Sequence, residues 1–177
     1  LLFFSQFGTL IGQVDKIHNV TTPEKMQLGW GLVPFGLSAN LGIAQFVAEY
    51  RISSRRFLFN YWDRAYDINR VFAINDGIVT RENKLYEYGK LNGLYIYTDV
   101  NLINLFNFNI GFQNMVGEKW DDLSSEYQSG ERNQLFSASF GLNPSMIPKI
   151  SNAELYYQQS NVTNPFKFEP DLSTIFG

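Results

Sequence analysis

A chain of 177 residues is long enough to bury a core without staples, and its lack of cysteine removes zinc-thiolate sites, thiol nucleophiles and a disulfide framework. With 14 basic against 17 acidic residues, a net charge of −3 and no cluster of Lys or Arg, it has nothing to neutralise a run of phosphates, which excludes nucleic acid as a partner. The aromatic share of 16%, mostly Phe and Tyr, favours strands.

In chain order, residues 1–27 are poorly patterned. LLFFSQFGTLIGQ reads as a strand, and TTPEK at 21–25 as a helix start, with Thr22 as cap, Pro23 in the first helical position and Glu24 in the first turn. Two charge-free stretches, 26–48 and 100–117, are long enough for membrane helices. The first contains four Gly, Pro34 and Asn40 and the second five Asn, so a helix in lipid would carry polar groups without partners. Neither is read as one. LGWGLVPFGLSANLG is instead a Gly-rich strand meeting a tight turn at 38–40.

From Ala44 onward apolar and polar residues alternate with period two. One face collects Gln45, Glu49, Arg51, Asp99, Asn101, Asn107, Asn109, Gln113, Asn152, Glu154 and Gln158. The other collects Phe46, Phe106, Phe108, Ile110, Phe112, Phe136, Phe140 and Leu155. RRFLFNYWDR at 55–64 alternates less cleanly and is read as one further strand. The joins then run short (53–55), long (67–91), short (101–104), long (115–133), short (143–149), long (161–171), which puts the short ones on one rim. More than half of the charged residues fall in 63–91 and 117–132, whereas 92–116 carries only Asp99.

An up-and-down antiparallel sheet with strands near ten residues, short joins on one rim and long charged loops on the other resembles a bacterial outer-membrane β-barrel protein of the porin or transporter kind. The resemblance covers about Leu28 to Gly177 and is architectural; AELYYQQSNVTNPF has the look of a strand running into an outer loop. It implies an all-β antiparallel meander, either a transmembrane β-barrel or a partial barrel of about eight or nine strands. The expected organisation is a single segment cut short at its C-terminus, because the closing strand ending in an aromatic residue is missing. It also implies localisation in the outer membrane, lipid as a partner, and a polar face lining a lumen through which a small polar solute passes, or else a structural role. No cofactor and no enzymatic activity are expected.

The residues taken alone leave a second reading open: a soluble β-barrel or β-sandwich that points the Phe face inward and binds an apolar or carbohydrate ligand. The low charge of the polar face favours the membrane reading, because water-facing strands ordinarily carry Lys and Glu. His18, the only histidine, sits beside Asp15 and Lys16 and reads as a loop residue; no G-x-S-x-G nucleophile motif is present. Glu118, Asp121, Asp122, Glu126 and Glu131 are candidate calcium ligands but lack EF-hand spacing, and a solvated loop is the expectation. Asn19 and Asn161 each head an N-V-T sequon, of consequence only in a eukaryotic secreted protein. Tyr95, Tyr97, Tyr156 and Trp62 are candidates for sugar stacking or for filling an interface.

Overall fold

The computed structural model describes residues 1–15, 25–62, 66, 70–74, 77–103, 105–142, 153–167 and 174–176. Its strands are β1 Leu2–Thr9, β2 Gln13–Asp15, β3 Lys25–Gln27, β4 Trp30–Asn40, β5 Ala44–Ser53, β6 Val71–Ile74, β7 Gly77–Thr80, β8 Tyr88–Leu102, β9 Phe106–Asp121, β10 Glu126–Leu142, β11 Ala153–Val162 and β12 Thr174–Phe176. A short 3-10 turn, Asn83–Glu87, precedes β8. Eight strands form one antiparallel sheet in the order β1-β4-β5-β8-β9-β10-β11-β12. The hairpins β2–β3 and β6–β7 are insertions in its connections, so the sheet itself is a plain meander. It is not closed, and β1 and β12 are its edges.

Antiparallel pairing of consecutive strands sends alternate connections to opposite ends. Residues 41–43 and 103–105 join strands at one end; 10–29, 54–87 and 163–173 leave from the other. At the 41–43 turn the Asn40 side chain accepts from the Gly42 amide at 2.9 Å, and Gly42 takes a φ of 82° that a side chain would resist. The tight turn expected at 38–40 is thus displaced by three residues, and 38–40 continue β4.

Two further expectations are corrected. Residues 55–64 do not form a strand among those described. Arg56 and Asn60 adopt positive φ (61° and 57°), which breaks the alternation and turns Phe57, Leu58 and Tyr61 inward together. The short join at 53–55 is therefore the start of a long excursion, and it lies on the rim opposite 103–105. Nor is 115–133 a loop: β9 and β10 continue through it as a paired hairpin from Gly117↔Glu131 to Asp121↔Glu126, closed by residues 122–125. Period-two pairing tolerates its charges because Lys119, Glu126 and Glu131 are exposed, while Trp120 and Tyr127 on the other face pack toward the core and Arg55.

The expected helix start at 21–24, the join at 143–149, and His18, Lys16, Asn19 and Asn152 lie outside the described residues. Lys25 opens β3. The strand expected in LLFFSQFGTLIGQ is present as β1 and pairs with β4, and Thr174–Phe176 supply β12 beside β11.

Val33, Leu91, Met115 and Leu135 are buried on the strands themselves, and a separate apolar cluster forms where connections fold together. Val14, Leu58, Tyr61, Leu85 and Tyr86 are buried at the long-connection end, with Leu10, Met26, Leu28, Tyr66, Tyr88 and Trp120 packed around them. Arg55 ties this cluster to the β9–β10 hairpin through two bonds to Glu118, Nε to Oε2 at 2.8 Å and Nη2 to Oε1 at 3.2 Å, and lies over the Tyr127 ring.

Candidate functional site

Register decides which side chains share a face. Gln45 pairs with Asp99, Asp99 with Asn109 and Asn109 with Ser139; Glu49 pairs with Tyr95, and Tyr95 with Gln113. Asn101 pairs with Asn107, Glu154 with Gly141, and Gln158 with Ser137. Ten of the eleven polar candidates therefore lie on one face, and the eleventh, Asn152, is outside the described residues. On the opposite face Phe46 aligns with Thr98 and Ile110, Phe112 with Phe136, and Phe108 with Phe140 and then Leu155. Phe106 is on that face too and stacks on Phe140 with ring centroids 5.7 Å apart.

The polar face carries two hydrogen-bond networks. In the first, Arg51 Nε donates to Glu49 Oε2 at 2.7 Å and Nη1 to Gln113 Oε1 at 2.8 Å, while Gln113 Nε2 donates to Asn133 Oδ1 at 3.3 Å. The guanidinium lies over the Tyr95 ring, 3.6 Å from its centroid, and 4.9 Å from that of Phe59. Glu49, Arg51, Gln113 and Asn133 are all buried. A charge so placed has to be paired, and this one is. In the second network, Tyr97 donates to Asn109 Oδ1 at 2.7 Å. Asn109 Nδ2 donates to Asn107 Oδ1 at 2.6 Å and Ser139 Oγ at 3.1 Å, and Asn107 Nδ2 to Asp99 Oδ2 at 3.1 Å. This ladder is half-buried, and Gln45, Asn101 and Glu154 lie exposed at its margin.

The apolar face shows the reverse. Phe35, Phe46, Leu94, Ile96, Phe108, Ile110 and Leu155 are exposed, with Leu155 at 66%. Only part of that face is covered by the chain itself. Phe166 stacks on Phe112 and packs against Phe136, and beside it Gln159 is fully buried, its Nε2 donating to the Lys167 carbonyl at 3.2 Å. So the side bearing charges and amides is the enclosed one.

No known protein family, curated protein or solved structure matches the chain.

Two of the five carboxylates considered for calcium have other partners. Glu118 holds Arg55, and Asp121 Oδ2 accepts the Ser124 amide at 3.0 Å; among the described residues no group of three or more acids or histidines could hold a metal ion. Trp62, itself 70% exposed, lies outside the sheet and packs against Tyr66 and the buried Tyr61. Tyr97 and Tyr156 remain on the polar face and flank a cavity of about 240 Å³. Sequence reading missed Ser137, Ser139 and Asn133 as members of the polar wall. The alternation in LFSASFGLN already placed both serines opposite the Phe residues, but only register could show which tyrosines they separate.

Proposed function

We propose that the chain is a segment of an outer-membrane β-barrel whose polar face lines the lumen and whose Phe-rich face meets lipid, serving passage of a small polar solute without enzymatic chemistry. The observation that carries this reading is the inversion of burial: Glu49, Arg51 and Gln113 are enclosed while Phe108, Ile110 and Leu155 are exposed. Water penalises an exposed apolar sheet face at roughly 25 cal/mol per Å², and monomeric soluble proteins rarely expose such patches beyond a few hundred Å². Hydrocarbon removes that cost. A soluble sandwich would have put the aromatic face inside, so the same inversion weighs against the alternative. The meander without crossovers also supports the reading, as do seven strands of eight to seventeen residues, enough for a tilted crossing.

The test is partition. The chain, secreted with a signal sequence in a Gram-negative host, should fractionate with the outer membrane and resist alkaline extraction; recovery in the soluble periplasm would favour a binding module instead.

A further inference from the structure

Tyr97 on β8 and Tyr156 on β11 stand on the polar face with two strands between them. Those strands present Gly111 and Asn109 from β9, and Ser137 and Ser139 from β10. Three interstrand steps set the two tyrosine backbones roughly 14 Å apart across the sheet before curvature. Between them lies the 240 Å³ cavity, whose lining is completed by Gln158, Tyr157 and Ala138. Gly111 lets Ser137 and the tyrosines close over β9: a Cβ there would fall 2.6 Å from Ser137 Oγ and 3.6 Å from the Tyr95 hydroxyl.

The chemistry of this trough is specific. Its lining contains no acid and no base. Ser137 Oγ has no hydrogen-bond partner among the described residues, and Ser139 Oγ accepts from Asn109, which leaves its proton to donate. Hydroxyls and amides both give and accept hydrogen bonds, and the tyrosine rings offer apolar faces with polar tips. An anion would find no cation here and a cation no carboxylate. A ring with an apolar C–H face and a girdle of hydroxyls satisfies both the aromatic and the polar groups.

We propose that the Tyr97–Tyr156 trough is a binding subsite for a neutral sugar ring. The assignment builds on the polar face as the solute-facing wall and names the class of solute that wall takes.

The test titrates maltose and D-glucose, calorimetrically, into the full chain purified in detergent micelles, with gluconate and glucose 6-phosphate as charged comparators. Saturable binding of the neutral sugars is expected, with much weaker binding of the charged ones. Tyr156→Ala should weaken maltose about tenfold, Tyr156→Phe should restore it, and Ser139→Leu, which fills the trough, should abolish it. Circular dichroism matching the parent confirms that the variants fold; should Ser139→Leu fail to fold, the Tyr156 pair still decides. Absence of saturable binding by the parent chain, equal binding of gluconate, or an unchanged affinity in Tyr156→Ala would overturn the proposal. The two proposals separate cleanly. A chain that sediments with outer membrane but binds no sugar sinks the subsite and leaves the barrel, whereas a soluble chain that binds maltose sinks the barrel and keeps the subsite.

Discussion

Arg51 is the residue on which the polar wall turns. Its guanidinium pairs with Glu49 at 2.7 Å, and both are buried. Removing one member of such a pair strands the other charge, which costs about 3–5 kcal/mol. Arg51→Ala should therefore lower the unfolding free energy by that order in a denaturant titration, and pairing it with Glu49→Gln should recover much of the loss; equal destabilisation in the single and double variants would deny the coupling. Tyr86 carries a second prediction at this scale. Burial first, and then the nearby Glu87 and Asp122, push its hydroxyl up to about 12 from the ordinary 10. The fold prefers the neutral phenol, so its contribution is complete below pH 10 and is lost as pH climbs through about 12. The loop-end core should loosen across that interval, read by Trp fluorescence, and Tyr86→Phe should remove that part of the pH dependence.

At the scale of one element, β9 holds both chemistries in one strand. Phe106, Phe108, Ile110 and Phe112 occupy one face and Asn107, Asn109 and Gln113 the other. If the first face meets lipid, Ile110→Arg should cost about 2–4 kcal/mol in a folding titration into bilayers, whereas Gln45→Arg, exposed on the polar face, should cost little. Asn109→Arg is a poor comparator because it would break the bonds to Tyr97, Asn107 and Ser139. An Ile110→Cys thiol should react only with membrane-soluble reagents, and labelling by a water-soluble one would remove the lipid-face assignment. The alternation in 104–114 made this element legible from the amino-acid order alone. Residues 55–64 were not, because RRFLFNYWDR alternates almost as well. There the left-handed backbone at Arg56 and Asn60 and the chance to bury Leu58 and Tyr61 against Val14 and Leu85 outweighed strand propensity.

For the whole molecule, the two rims are the testable feature. The turn at 122–125 closes the β9–β10 hairpin on the rim of the long connections, with Leu123 98% exposed, and the turn at 41–43 lies on the other rim. An epitope inserted at Leu123 should be seen by antibody on intact cells, and one at Gly42 only after permeabilisation. The opposite pattern would invert the orientation. Equal exposure of both in detergent-free, monomeric protein would mean that no membrane barrel exists.

Composition and period-two alternation were sufficient for the all-β class, the antiparallel meander and the membership of each face, because side chains on consecutive residues of a strand must point to opposite sides. They were not sufficient for which face is enclosed, since a pattern of period two is the same whether its oily side points in or out. That choice rests on curvature and on where the long connections fold. It was tertiary structure that put Phe59 near Arg51, carried 115–133 onward as strand, and brought Tyr97 and Tyr156, 59 residues apart in the sequence, to the two sides of one trough. Register across four strands is a sum of pairings made far apart along the chain, and no local stretch of sequence contains it.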